Sequence, residues 1–330
     1  MPCGVNMQRR QFISLIGGIA TGLMSPLSSS AQKPNIRRIG VLVVGNADAD
    51  AVTFQTELRE ELRKSGYVEG QNLIFDLKSA EQKLDLLPKL AAELVAQKAD
   101  VIVALYTPCA LAAKQATREI PIVTVSGDPV GTGLVPSLAK PGGNITGVSL
   151  IAAEMHGKCV ELFRDMLPSL RRVGALVSAA DPFSKPFLEQ VQLAGKTTGL
   201  DIAPTMVRGP QEIEGALANL KREDAGAVVV QGSLASKTVA DLAVRYGLPA
   251  ATVPRSFAEA GGVLSYGADS STSFRQGARF VTKILQGGLP TDMPIEQPTK
   301  FELVINLKTA KALGLTVAET FLQRADVIIE

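Results

Sequence analysis

His156 is the only histidine in the chain. Metal sites built on paired histidines are therefore excluded, and a Ser-His-Asp arrangement has a single candidate base. His156 precedes Gly157 at a charged helix start, which predicts a surface position. Gly195-Lys196-Thr197 resembles the close of a phosphate-binding loop, yet Gln190 stands where that loop needs its first glycine, and the segment ends a helix instead of opening one. No Gly-x-Gly-x-x-Gly follows a strand-like run, so the dinucleotide fingerprint is missing, and Gly127, Gly131 and Gly133 read as turn residues. Three carboxylates, Asp128, Asp181 and Asp269, fall where strands should end and could serve acid–base chemistry in a cleft. Asp128-Pro129 and Asp181-Pro182 are equally good turn formers and helix caps. These residues specify no reaction, cofactor or metal site. A hydrolase or lyase working through cleft carboxylates is the alternative.

The elements that must position such residues alternate along the chain from Arg38 onward. Residues 39–44, 73–77, 101–105 and 120–125 are short apolar runs of the kind buried in parallel sheets. Phe54, Leu58 and Leu62 recur at helical spacing among charged residues until Gly66 stops the helix, and Leu87, Leu90, Leu94 and Val95 mark the next. This βαβαβ rhythm predicts a doubly wound α/β sheet with helices on both faces. It then returns: the run from Arg38 is echoed 134 residues later from Arg172, Val101 is echoed by Val228, and Pro121 by Pro249. Two lobes of one α/β type follow, with parallel sheets flanked by helices. Their boundary lies at Pro141-Gly142-Gly143-Asn144, after what reads as the first lobe's last helix, and residues 145–150 extend beyond it. The stripe Phe274, Ala278, Val281 and Leu285 and the strand-like residues 301–305 should cap the lobes by crossing between them. The expected division is residues 36–147 with about 269–299 in one lobe, and 148–268 with about 300–330 in the other.

A length of 330 residues, 46% of them hydrophobic, is ample for two cores and excludes a disordered chain. Arg9 and Arg10 precede an apolar, glycine-spaced stretch that reaches Leu27, and Ser29-Ser30-Ala31 supplies small residues for cleavage. Residues 1–31 therefore read as a twin-arginine export signal, with Met7 a possible second start, and the remainder as a soluble periplasmic protein. Gly17, Gly18, Gly22 and Pro26 break that stretch below the ~20 residues of a membrane span. Outside it the 32 remaining basic residues match the 32 acidic ones, so no charge excess favours nucleic acid. Cys109 and Cys159, the two cysteines beyond the signal, read as small buried hydrophobes.

Ligands of open α/β sheets sit beyond the carboxyl ends of the strands. Reading those ends gives Asn46, Tyr106, Thr107 and Asp128 in the first lobe, and Ser178, Asp181, Ser184, Gln231, Ser233, Tyr266 and Asp269 in the second. Hydroxyls, amides, two tyrosines and a few acids suit hydrogen-bonded capture of a small polar or zwitterionic solute, with a ring contact from Tyr106 or Tyr266.

Four segments carry a resemblance. They are Gly66-Tyr67-Val68-Glu69-Gly70-Gln71-Asn72-Leu73, then Gly127-Asp128-Pro129-Val130-Gly131, then Lys140-Pro141-Gly142-Gly143-Asn144-Ile145-Thr146-Gly147, and the long run from Glu296-Gln297-Pro298-Thr299 to Lys308-Thr309-Ala310. The chain resembles the ABC transporter substrate-binding proteins related to tryptophan/tyrosine uptake. The resemblance implies a type I periplasmic-binding-protein fold of two Rossmann-like lobes joined by three crossing strands, closing by hinge motion near residues 145–150 and 266–270. It implies a solute, in some relatives an aromatic amino acid, delivered to an ABC permease and its ATPase by a monomer that meets the membrane only through the permease. A solute sensor for a receptor kinase would share the same fold. Tyr106-Thr107-Pro108-Cys109 stands where relatives usually show Gly-Thr with small residues, a departure that either enlarges or blocks one side of the pocket.

Overall fold

The computed structural model describes residues 36–45 and 49–330. The expected export signal and Asn46 lie outside the described residues.

The first half builds β1 (Arg37–Val43), α1 (Ala49–Lys64), β2 (Leu73–Ser79), α2 (Leu87–Ala96), β3 (Val101–Leu105), α3 (Thr107–Ala116), β4 (Ile122–Ser126) and β5 (Ile145–Ser149). The strands form a parallel sheet in the order β2-β1-β3-β4-β5. β3 and β4 are buried along their whole length, as their unbroken Val/Ile/Leu/Ala-rich runs require of strands covered on both faces. Gly147 permits the β4–β5 pairing: its φ is +141°, and a Cβ there would stand 1.9 Å from the Thr124 carbonyl oxygen.

The second half repeats the plan with α4 (Ala152–Met166), β6 (Arg172–Ser178), α5 (Ser184–Thr198), β7 (Asp201–Val207), α6 (Ile213–Arg222), β8 (Ala227–Val230), α7 (Lys237–Arg245), β9 (Ala250–Thr252), α8 (Arg255–Glu259) and β10 (Leu264–Ala268). After it come α9 (Ser270–Leu285), β11 (Phe301–Asn306), α10 (Leu307–Ala312), α11 (Glu319–Leu322) and β12 (Val327–Ile329). The second sheet runs β12-β11-β10-β9-β8-β6-β7. Its exception to parallel pairing is β10 with β11, where Leu264 faces Ile305 and Ala268 faces Phe301. β11 starts beside the point where β10 ends, the Asp269 N–H donating to the Lys300 carbonyl, so it must run back along its neighbour.

The sequence placed a last first-lobe helix ahead of Pro141, and the structure has none there. Residues 127–144 form turns and irregular backbone, broken by Pro129, Gly131, Gly133 and Pro136. The layer that this helix would fill is taken by α9, which comes from the far side of the second sheet's β10. Its Phe274, Ala278 and Val281 are buried with Val125 and Val148, and Phe274 meets Phe54 of α1 edge to face at 5.4 Å. The chain therefore passes between the sheets three times, at residues 150–151, at Asp269 and before β11. The Ser149 N–H donates to the Glu296 carbonyl and the Glu296 N–H to the Gly147 carbonyl, which ties the first crossing to the third. Ile151 sits in the first crossing at φ +53°, ψ +35°, left-handed backbone that a β-branched residue rarely adopts.

Candidate functional site

The carboxyl ends of β3, β4, β5, β6, β8 and β9 converge on one cavity between the two halves. Tyr106, Thr107, Pro108, Gly127 and Leu150 line it from the first half. From the second come Ala152, His156, Asp181, Phe183, Gly232, Ser233, Val253 and Pro254. No lysine or arginine is among them.

Asp181 supplies the cavity's acidic side chain and is 3% exposed. It sits in the turn between β6 and α5, where its Oδ1 accepts the Phe183 N–H at 2.9 Å and its carbonyl accepts the Ser184 hydroxyl. Burial pushes its carboxyl above the ordinary value of 3.8; Ser233, the Phe183 N–H and Gln231 partly offset this. Gln231 Oε1 accepts the Ser178 N–H at 2.9 Å, and the Gln231 and Ser233 side chains face the Asp181 carboxylate. The Asp181 charge also raises the pKa of Cys109, after burial the second cause, which places the carboxylate near the first turn of α3. That helix starts at Thr107 with no side-chain cap, so the positive end of its dipole opens toward the cavity.

The sequence expectation for His156 is overturned: it is 1% exposed. α4 turns Ala152, His156, Cys159, Val160 and Phe163 toward the core at helical spacing, and the imidazole lies edge-on to Phe187 at 4.8 Å. Nδ1 is bonded to the Ala152 carbonyl and Nε2 faces the Thr252 hydroxyl at 3.3 Å. Burial holds its pKa down to about 4, against an ordinary 6.5, so the ring is neutral. Between these values the unfolded chain binds a proton that the folded protein refuses, so stability falls as pH drops from 6.5 to 4. His156 is expected to contribute a loss of about 3 kcal/mol across that window. Urea unfolding from pH 4 to 7 should show a shallower decline in His156→Gln than in the wild type; equal slopes would refute this.

The other residues read from strand ends divide among different tasks. Tyr106, Thr107, Asp181 and Ser233 line the cavity, with Gln231 beside the carboxylate. Ser178 and Ser184 serve the turn that carries Asp181. Asp128 accepts the Gly131 N–H at 2.8 Å in a turn of its own, and Asp269 caps α9 through the Thr272 N–H at 2.7 Å. Tyr266 stacks on Phe301 with centroids 6.3 Å apart. None of these last three lines the cavity. The sequence reading missed its apolar members, Leu150, Phe183 and Val253. Leu150 and Val253 carry one local signal, an apolar residue directly after a strand end, whereas Phe183 lies well past β6 and carries none.

A protein-family model described as ABC transporter substrate binding protein matches residues 38–329. The tyrosine-binding protein of Clostridioides difficile (strain R20291) is 27% identical over 258 residues, covering 77% of this chain and 74% of that protein. A conserved domain protein from Vibrio cholerae superimposes with a TM-score of 0.83 at 27% identity, over 88% of this chain and 99% of that one. The ABC domain from Streptococcus pneumonia in complex with L-Trp does so with a TM-score of 0.81 at 27% identity, over 88% and 100%. Two α/β halves repeated around a shared cavity agree with these matches, and the chain belongs to the ABC transporter substrate binding protein family.

Proposed function

We propose that the chain is an exported receptor that captures a free amino acid as its zwitterion, the ammonium group at Asp181 and the carboxylate at the uncapped start of α3. The observation that carries this is a buried carboxylate and the positive end of a helix on opposite halves of one cavity. Each end of a zwitterion finds its opposite charge there, and the Ser233 hydroxyl in the cavity wall supplies a further polar contact. The relatives with tyrosine and L-Trp in their descriptions support the same ligand class.

As a member of its family the protein is a solute receptor of an ABC importer and not an enzyme; its partners are a small-molecule solute and an ABC permease. No described helix is long and apolar enough to cross a membrane. In this reading a twin-arginine signal sends a monomer to the periplasm, and an ATPase drives the permease. Residues 36–147 with about 269–299 move as one lobe and the rest as the other, hinged at the three crossings. A ligand that touches both lobes favours the closed form by its differential affinity for it.

Calorimetry and thermal shift against the free amino acids test the reading, each beside its N-acetyl and methyl ester derivatives. At least one free amino acid should bind and both derivatives should fail, because each removes one charge. At about 100 times Kd the ligand should stabilise the protein by about 2.7 kcal/mol. Binding of the N-acetyl form as tightly as the free form, or conversion of the ligand to a product, would overturn it.

A further inference from the structure

We propose that Tyr106 is a fixed wall of the cleft that limits ligand size, admitting aliphatic amino acids and excluding indole and phenol side chains. The inference rests on the amino-acid reading above and deepens it. Tyr106 has φ +71° and ψ 161°, a region of backbone space that is almost entirely glycine's. A tyrosine stays there only where its surroundings over-determine it, and three sets of contacts do so. Its N–H donates to the Val125 carbonyl at 2.8 Å and its carbonyl accepts the Ala110 N–H at 3.1 Å, which ties the residue to β4 and α3. Its hydroxyl donates to Oδ2 of Asp50 at 2.8 Å, and that aspartate is itself buried at the start of α1. Between these anchors the side chain packs against the hydrophobic clusters on both faces of the first sheet.

The ring therefore cannot swing aside for a guest without leaving a buried carboxylate without its hydroxyl donor. Tyr106 lines the cavity beside Thr107, the first residue of α3, and the same cavity holds Asp181 and Phe183. A ligand held by its two charges between α3 and Asp181 must turn its side chain into the remaining space, and the anchored tyrosine bounds that space on the first half's side. Glycine would meet the backbone requirement without strain, so the retained side chain is what the position supplies.

The test measures affinities of the full chain for L-valine, L-leucine, L-phenylalanine and L-tryptophan in the wild type, Tyr106→Gly and Tyr106→Phe. The wild type should prefer the aliphatic ligands. Tyr106→Gly, which opens a ring-sized space, should raise the tryptophan-to-valine affinity ratio by about tenfold or more, since a single methylene is already worth roughly that much in an apolar pocket. Tyr106→Phe keeps the ring, loses the anchor on Asp50 and should fall between. An unchanged ratio in both variants would overturn the proposal, as would a ratio that falls because the ring stacks on aromatic guests. Should Tyr106→Gly fail to fold, the Tyr106→Phe ratio decides alone. Normal binding with an unchanged ratio removes the size limit and leaves the amino-acid reading standing. Failure of every free amino acid to bind the wild type removes both.

Discussion

Asp181→Asn is expected to raise the melting temperature of the empty protein at neutral pH and to weaken amino-acid capture by about 100-fold or more. Both effects come from one charge. Burial raises this carboxyl in the folded state above its ordinary 3.8, so the folded protein holds a proton that the unfolded chain has already released. The apo protein gains stability as pH falls through the window between the ordinary and the raised value, and it lacks that gain above the window. Asparagine never carries the charge, so its advantage should be present at pH 7 and shrink under acid. The Phe183 N–H keeps its acceptor, because asparagine retains an Oδ1, and the turn should persist. An incoming ammonium group would lose its counter-charge in a buried site, the situation in which a missing partner costs most. In the wild type, affinity should fall as pH drops through the raised value, at a higher pH than an ordinary aspartate would give. Melting curves and calorimetry on both proteins from pH 4 to 8 check these points together. Wild-type affinity in the variant would remove Asp181 from the site.

Gly127→Leu should act on closure and not on the folding of either half. A Cβ at residue 127 would stand 2.9 Å from Cε2 of Phe183 and 3.2 Å from Cβ of Ala152. Gly127 follows β4 of the first sheet, whereas Phe183 and Ala152 precede α5 and open α4 in the second half, so a side chain there wedges the halves apart. Under the proposed hinge motion, overpacking of about 1–3 kcal/mol falls on the form in which the two halves meet at this contact. Through the reduced closed population, apparent affinity should drop by roughly 10- to 100-fold. Gly127→Ala should cost less, and Phe183→Leu should restore part of the leucine variant's loss by withdrawing the ring. Small-angle scattering should show ligand-induced compaction in the wild type and little in Gly127→Leu. Wild-type affinity with full compaction in that variant would mean that the halves do not close at this contact.

Much of the frame was legible in the linear sequence because it depends on short-range periodicity. Residues 101–105 were read as a buried strand and form one with those bounds. Phe54, Leu58 and Leu62 repeat every four residues and are buried along one face of α1. The echo of the first half in the second reflects two sheets with the same neighbour order, β2-β1-β3-β4 and β7-β6-β8-β9. Strand ends pointed to the right region of the molecule, since the cavity opens at six of them.

Tertiary structure decided which residues at those ends share the cavity. Asp128-Pro129 and Asp181-Pro182 are the same dipeptide after a strand, yet one aspartate folds back on Gly131 and the other is buried in the cavity wall beside Gln231 and Ser233. His156 reads as a surface residue among charged neighbours and becomes buried because Phe187 and Thr252 arrive from other elements. α9 has the stripe of an ordinary amphipathic helix, and only the crossings direct it back to the first sheet. Local periodicity is settled within one element, by which face a residue turns. The neighbours of a loop side chain are settled by strand pairings and crossings that bring together residues far apart in the chain, and the residues between them carry no local trace of that meeting.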